Sequence, residues 1–449
     1  MKNGEREQWS SSLGFILASV GGAVGLGAVW KFPYTVGQYG GAAFFIVFLV
    51  VLLLIATPIL MIEFGIGRKT KLNYTGALKV LFPQKKWYLF GIVGLIVLII
   101  VLSFYMGVSG WTIAYLFKSL FGSYSGNSPD LIANDFGNFL NSPLELLFWM
   151  FVMAVLTGVV VYKGIQKGIE KVCKVLMPLL FIMIIILCIR AITLPGAQAG
   201  LEFYLKPDFR ALTFEGILAA IGLAFFTLGV GAGNLVIYGS YLDNKRTIAS
   251  NTFIIVIADA LIAVMMGFII FPAVFAYGVE PSAGPPLVFI TLPIIFAQMK
   301  FGMLFAVIFY LLLIFACLTS TIAILEAIVG YFVDEWKWSR LKTVLITLTG
   351  IYVIGVFQML SFGPLADFTI FGKTIFEFSD YLVSNILLPG GGLALLVFAG
   401  WLLKPKMLLD EINTGNGLKV NHYYTITVRY LAPIALAIVY LQLLGILKL

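Results

Sequence analysis

Apolar runs of about 18 or more residues recur along the chain, and they limit its fold more than any single motif does. A helix rises about 1.5 Å per residue, so each such run is long enough to cross the hydrocarbon layer of a bilayer. Of the 449 residues, 61% are hydrophobic and only 11% are charged. With a mean hydropathy of +1.03, a soluble domain of this length would lack the polar residues to cover its surface. The expected fold is an all-α membrane protein of eleven transmembrane helices.

The runs place helices 1–5 at about 12–37, 41–67, 88–121, 144–162 and 171–191. Helices 6–10 are expected at about 213–242, 249–277, 304–336, 340–359 and 375–402, and helix 11 at 425–446. The whole chain, 1–449, reads as one transmembrane domain. Basic residues collect in alternate loops, among them Arg68, Lys69 and Lys71, then Lys163 and Lys167, then Lys245, Arg246, Lys337 and Arg340. The loop from Phe121 to Leu144 has no lysine or arginine. By the positive-inside rule the N-terminus is cytoplasmic and the C-terminus external. The net charge of +8 is thus a topology signal, not a nucleic-acid surface.

The remaining composition narrows function by exclusion. Cys173, Cys188 and Cys317 lie far apart and suggest neither a metal site nor a disulfide framework. The lone His422 lies in a polar loop. There is no HExxH, no GxSxG and no buried His–Cys or His–Ser pair, so no enzyme is expected. The first eleven residues are polar and precede a long glycine-rich helix, which reads as a retained span rather than a cleaved signal. The proline-broken stretch 277–300 is expected to form an external hairpin, either a lid or a plain connector.

Two spans carry glycines where a membrane helix should be strongest. Helix 1 contains "GGAVGLGAVWKFPY", Gly21 to Tyr34, and helix 6 contains "FFTLGVGAGN", Phe225 to Asn234. Each is the first span of a five-helix set, 12–191 and 213–402, with 425–446 as an extra helix. Interruptions at matching positions of two halves point to a transporter built from inverted repeats, with helices 1 and 6 unwound at the bilayer midplane. Unwound backbone in a bilayer leaves amides and carbonyls unpaired, each costing several kcal/mol. Such a break persists when something polar fills it. Free carbonyls suit a small cation, and free amides at the start of a half-helix suit a carboxylate. An amino acid bound with a cation meets both demands. Glycine used only for close helix packing is the competing explanation.

Helix 8 adds "ACLTSTIAI", in which Thr319, Ser320 and Thr321 stand together. Two of these hydroxyls are candidate ligands for a hard cation, which prefers oxygen. Three acidic residues, Glu63, Asp259 and Glu326, sit inside apolar spans, where charge is costly and functional by default. Glu63 is placed to bond the free amides of a broken helix. Asp259 is placed to ligate a cation or carry a proton, and Glu326 to serve a hydrogen-bonding role. Lys31 and Asp380 fall near the outer ends of their helices and are expected to pair or to snorkel to the interface.

The stretches "REQWSSSLGFILASVGGAVGLGAVWKFPY", "SGWTIAYLF", "FFTLGVGAG" and "ACLTSTIAI" together resemble the neurotransmitter:sodium symporter family, in particular its bacterial amino-acid transporters of eleven spans. The resemblance implies a substrate site in which the amides near Gly25 and Gly27 and the hydroxyl of Tyr105 hold the carboxylate. Carbonyls at Ala23, Phe226 and Thr227 would face the amine. Val101, Phe226, Gly229, Ala232, Ser320 and Ile324 would line the side-chain pocket. It implies a sodium site of the Gly21, Val24 and Ala316 carbonyls with the Thr319 and Ser320 hydroxyls. It further implies an outer gate of Lys31 with Asp380 above Tyr105 and Phe226, and an inner gate of Arg6, Trp9, Tyr241 and Asp334.

Two departures from the family pattern matter. Ala28 replaces an asparagine that ligates a second sodium, and Asp259 stands in for a neutral asparagine at that site, which otherwise keeps Ala23 and Thr227. Either the carboxylate compensates for the lost amide, or the second site binds sodium weakly or not at all. Leu223 and Ala263 occupy positions where chloride-dependent members carry polar groups, so transport is expected to be chloride-independent.

The expected function is sodium-coupled import of an amino acid by alternating access at the plasma membrane, using one or two Na+ and no organic cofactor. Small residues at Gly229 and Ala232 favour a bulky hydrophobic or aromatic substrate. No nucleic acid and no obligatory protein partner are implied beside the lipid bilayer. Proton coupling through Asp259 is the alternative within the class, and a non-transporting amino-acid sensor is the alternative outside it.

Overall fold

A computed structural model describes residues 7–124, 126–279, 286–403, 405–443 and 446. Among them, nine helices are long and apolar enough to cross a membrane: Ala42–Thr70, Tyr88–Leu120, Pro143–Tyr162, Ile165–Ile192, Ile248–Ala276, Gly302–Trp336, Arg340–Leu360, Ile375–Leu402 and Tyr424–Gln442. Ser12–Ala23 and Gly27–Gln38 form a tenth crossing only when taken together, because they meet at a 52° bend. Phe214–Leu228 is shorter, and helix 6 resumes after a gap as Val236–Ser240. These segments are helices 2–5, 7–11, 1 and 6 of the sequence reading, with ends within a few residues except for helix 5. Helix 5 starts at Ile165, because Gly164 turns the chain with φ +85° and lets the helix begin at once.

Local signals set several starts. Ser11 accepts from the Gly14 amide at 3.0 Å and opens helix 1. Thr213 accepts from Gly216 at 3.1 Å and opens helix 6. Before helix 10, Thr374 and Glu377 form a reciprocal capping box. A tight antiparallel pair, Thr369–Ile370 with Lys373–Thr374, precedes it. Its turn puts Phe371 and Gly372 at positive φ.

Four helices occupy stretches read from sequence as loops: Tyr74–Leu81, Pro129–Leu140, Ala197–Leu205 and Pro405–Ile412. They are too short to produce a long apolar run. In the stretch 277–300 the chain forms one apolar helix, Leu287–Gln298, whose Phe289 ring packs 4.8 Å from that of Tyr115. The tip of that stretch, 280–285, lies outside the described residues.

Helix 8 runs through the centre and packs on helices 1, 3, 4 and 5. The outward faces are apolar: Phe148, Phe151, Ile182, Ile189, Leu345 and Val353 are each more than half exposed. Apolar exposure on that scale suits contact with lipid rather than water. Some basic residues read as loop charges instead turn inward. Arg68 is enclosed and bonds Glu411 at 2.7 Å, and Arg340 reaches inward to Glu326.

Candidate functional site

At the helix 1 break the orphaned backbone groups can be traced one by one. Val24 N–H still reaches Val20 O at 2.7 Å, and Val24 then turns extended, with φ −74° and ψ 98°. The Leu26 amide has left the helix ladder and donates to Tyr105 Oη at 2.7 Å. Val29 donates to Gly25 O at 3.2 Å, which restarts the helix. The carbonyls of Gly21 and Val24 accept from Ser320 Oγ at 3.1 and 3.2 Å. Thr319 Oγ1 bonds the carbonyls of Phe315 and Ala316 at 2.9 and 3.1 Å. A Cβ added to Gly21 would meet Thr319 Cβ at 2.8 Å, so Thr319 abuts the same turn of helix 1. Gly21, Val24, Ala316, Thr319 and Ser320 thus form one cluster of carbonyl and hydroxyl oxygens. Such a donor set suits a small hard cation.

At the helix 6 break, three glycines in five residues adopt positive φ: Gly229 at +63°, Gly231 at +101° and Gly233 at +72°. Few other residues tolerate that conformation, and no helix continues through it. The freed amides converge on one buried carboxylate. Glu63 Oε1 accepts from Gly231 N at 2.8 Å and Gly233 N at 3.3 Å, and Oε2 from Leu235 N at 3.0 Å. Charge-assisted bonds to three amides offset the desolvation of the carboxylate.

Between the two breaks lies a cavity of about 50 Å³. Its lining brings together Ala23, Gly25, Gly27, Val101, Tyr105, Phe226, Gly229, Ala232, Ser320 and Ile324, all expected from the sequence. Gly25 has no room for a side chain, since Tyr105 Oη and Ser320 Oγ occupy the space of its Cβ. Gly22, Leu98, Asn234 and Leu388 also line it and escaped the sequence reading. For Asn234 the signal was present, as the last residue of "FFTLGVGAGN". Thr227 does not face the cavity, and its hydroxyl donates to Ala224 O at 3.2 Å.

Asp259 is fully buried in helix 7, and among the described residues nothing hydrogen-bonds either of its oxygens. Ala28 is fully buried as well.

Above the cavity, Lys31 Nζ lies 3.2 and 3.3 Å from the two oxygens of Asp380 and 3.1 Å from Ser384 Oγ. The same ammonium sits 4.5 Å from the Phe226 ring centre. Lys31, Asp380 and Ser384 line a broad cleft of about 770 Å³, while Phe226 lines the cavity. Below, Trp9 Nε1 donates to Tyr238 O at 3.1 Å, and the Trp9 ring packs edge-on against Tyr238 and Tyr241. Tyr241 Oη donates to Glu326 at 2.8 Å, and Arg340 bonds the same carboxylate. Asp334 accepts from the Asn73 backbone amide at 3.1 Å and from its side chain at 3.2 Å. Arg6, expected opposite Asp334, lies outside the described residues. The Arg340–Glu326 pair was not anticipated, because Arg340 reads in sequence as a loop charge.

Comparison with known proteins gives a consistent set of relatives. Residues 6–128 and 134–448 match the model of the Sodium:neurotransmitter symporter family. An uncharacterized sodium-dependent transporter, YhdH of Bacillus subtilis, is 40% identical over 445 residues, covering 98% of both chains. The sodium-dependent serotonin transporter of Drosophila melanogaster is 26% identical over 491 residues, covering 97% of this chain and 76% of its own length. Among solved structures, MhsT in complex with L-phenylalanine superposes with a TM-score of 0.91 at 39% identity. That match covers 97% of this chain and 99% of MhsT.

Proposed function

This chain belongs to the sodium:neurotransmitter symporter family, and from that premise we propose that it imports a bulky apolar amino acid together with sodium. The observation that carries the reading is the paired use of helix 8 and helix 3 at the helix 1 break. Ser320 holds the Gly21 and Val24 carbonyls, and Tyr105 holds the Leu26 amide. A cation among the oxygens of Gly21, Val24, Ala316, Thr319 and Ser320 would fix the break in one shape. A substrate carboxylate near Gly25, Gly27 and Tyr105 would then find that shape ready. Each guest raises the affinity for the other when both favour the same state. MhsT was solved in complex with L-phenylalanine, and that likeness supports an amino acid with a large apolar side chain.

In this reading the chain crosses the plasma membrane eleven times, with helices 1–5 and 6–10 as inverted repeats. The N-terminus is cytoplasmic. The Lys31–Asp380 pair and the Phe226 ring close the outer side, and the Trp9–Tyr241 layer with Asp334 closes the inner side. The helix Leu287–Gln298 is read as part of an external lid. Buried, apolar Leu223 and Ala263 give chloride no polar partner, so transport is chloride-independent.

Proton coupling is a second reading, favoured by one observation: Asp259 is buried without a hydrogen-bond partner among the described residues. Uptake by purified protein in proteoliposomes tests both. Accumulation driven by a sodium gradient and indifferent to chloride supports sodium coupling. Accumulation driven by a pH gradient in sodium-free medium replaces it with the second reading.

A further inference from the structure

The central cavity is lined by three polar side chains, Tyr105, Ser320 and Asn234. Two are engaged with backbone. Tyr105 accepts from Leu26, and Ser320 donates to Gly21 and Val24. Asn234 differs. Its residue is 2% exposed, yet among the described residues nothing bonds its Oδ1. Its Nδ2 lies 3.6 Å from the position a Cβ would take on Gly229, at the small-residue side of the pocket. The side chain is held in the unwound stretch between Gly233 and Leu235, whose own amides are bonded to Glu63. It is therefore not needed to satisfy that backbone.

A buried amide oxygen without a partner is unfavourable, and a guest that donates to it relieves that penalty. The rest of the side-chain pocket is apolar, with Leu98, Val101, Ile324 and Leu388, and Gly229 and Ala232 add no bulk to its helix 6 wall. A primary amide presents an acceptor or a donor by turning about its last torsion. We propose that Asn234 is a specificity-determining residue that accepts a hydrogen bond from the ring of the substrate. It selects large apolar side chains carrying an N–H or O–H, the indole of tryptophan or the phenol of tyrosine, over phenylalanine. The inference rests on the amino-acid transport reading and narrows its substrate class. A site built around a hydrogen bond rejects the analogue that lacks the group, because the buried partner is then left unpaired.

The test uses the full chain in proteoliposomes under an inward sodium gradient, with labelled tryptophan competed by tyrosine, phenylalanine and leucine. Wild type should favour tryptophan and tyrosine over phenylalanine by about tenfold, the ratio one buried hydrogen bond supplies. Asn234→Leu should bring the three within about twofold while the rise in melting temperature on adding sodium persists, which reports an intact fold. Equal uptake of phenylalanine and tryptophan by wild type, or an unchanged ratio in Asn234→Leu, overturns the assignment. Should Asn234→Leu be inactive, Asn234→Ala is read by thermal stabilisation with tryptophan against phenylalanine in sodium. There too an unchanged preference overturns it. Absence of sodium-driven uptake of any amino acid by wild type defeats the transport reading instead, and the stabilisation assay still decides the role of Asn234.

Discussion

The Lys31 ammonium lies 4.5 Å from the centre of the Phe226 ring, with its charge shared by Asp380 and Ser384. One cation thus joins the wall of the outer cleft to the lid of the central cavity. Cation–π attraction of about 1 kcal/mol and a partly exposed ion pair of similar worth are each modest. Together they bias the proposed outer gate, which must also open. Lys31→Met should lower sodium-driven uptake about tenfold through both losses, whereas Lys31→Arg should keep most of it. Equal uptake by Lys31→Met and wild type would remove the gate from the mechanism.

Thr319 and Ser320 carry the proposed sodium site. Thr319→Ala with Ser320→Ala deletes both hydroxyls but leaves the three carbonyls. Sodium-stimulated uptake should fall to background. The rise in melting temperature on adding sodium should vanish with it, since a ligand stabilises only a state it binds. Persistence of that rise in the double variant would place the cation elsewhere.

Glu63 serves helix 6 rather than a guest. Glu63→Gln keeps the size but replaces one acceptor oxygen by an NH2 that faces backbone donors. Losing a charge-assisted bond at a buried site costs ~2 kcal/mol. The variant should melt well below wild type whether or not substrate is present. A melt unchanged from wild type would mean that another group takes over these amides.

Asp259→Asn separates the two coupling schemes. The neutral amide removes the acid that would carry the proton. Under sodium coupling the variant should still accumulate substrate along a sodium gradient, and wild type should show no uptake along a pH gradient alone. Loss of all accumulation in Asp259→Asn, with the protein still stabilised by sodium, would favour the proton.

How much of this was legible follows from where the signal lies. The helix 1 break announces itself, because glycines and Lys31 interrupt an otherwise apolar run. Glu63 is legible as a charge inside an apolar run, and a broken helix in the bilayer must leave free amides for it to bond. Asn234 stands in the quoted glycine stretch, but its direction is not legible there. Once three glycines adopt positive φ, helical periodicity no longer says which way the next side chain points. The Arg340–Glu326 pair was hidden for another reason: the loop rule that gives topology from lysine and arginine says nothing about which of them turns inward. The four short helices leave no membrane-length apolar run in the sequence.

Pocket width rests on Gly229 and Ala232, and the two can be told apart experimentally. Gly229 has φ +63°, so any L side chain there carries strain of roughly 1–2 kcal/mol and its effects would mix conformation with volume. Ala232 is 3% exposed, lines the cavity and already carries a Cβ, so enlargement there reads volume alone. Ala232→Phe fills the space that a large substrate side chain would use. Competition by tryptophan, tyrosine and leucine should weaken at least tenfold, because their rings or branches meet the new phenyl group. Alanine and glycine, which need none of that space, should compete as well as before or better. The measurement is a competition panel run on wild type and variant side by side. A variant that still prefers tryptophan would mean that the substrate side chain points away from the helix 6 break, and the width of the pocket would then have to be explained from helices 3 and 8.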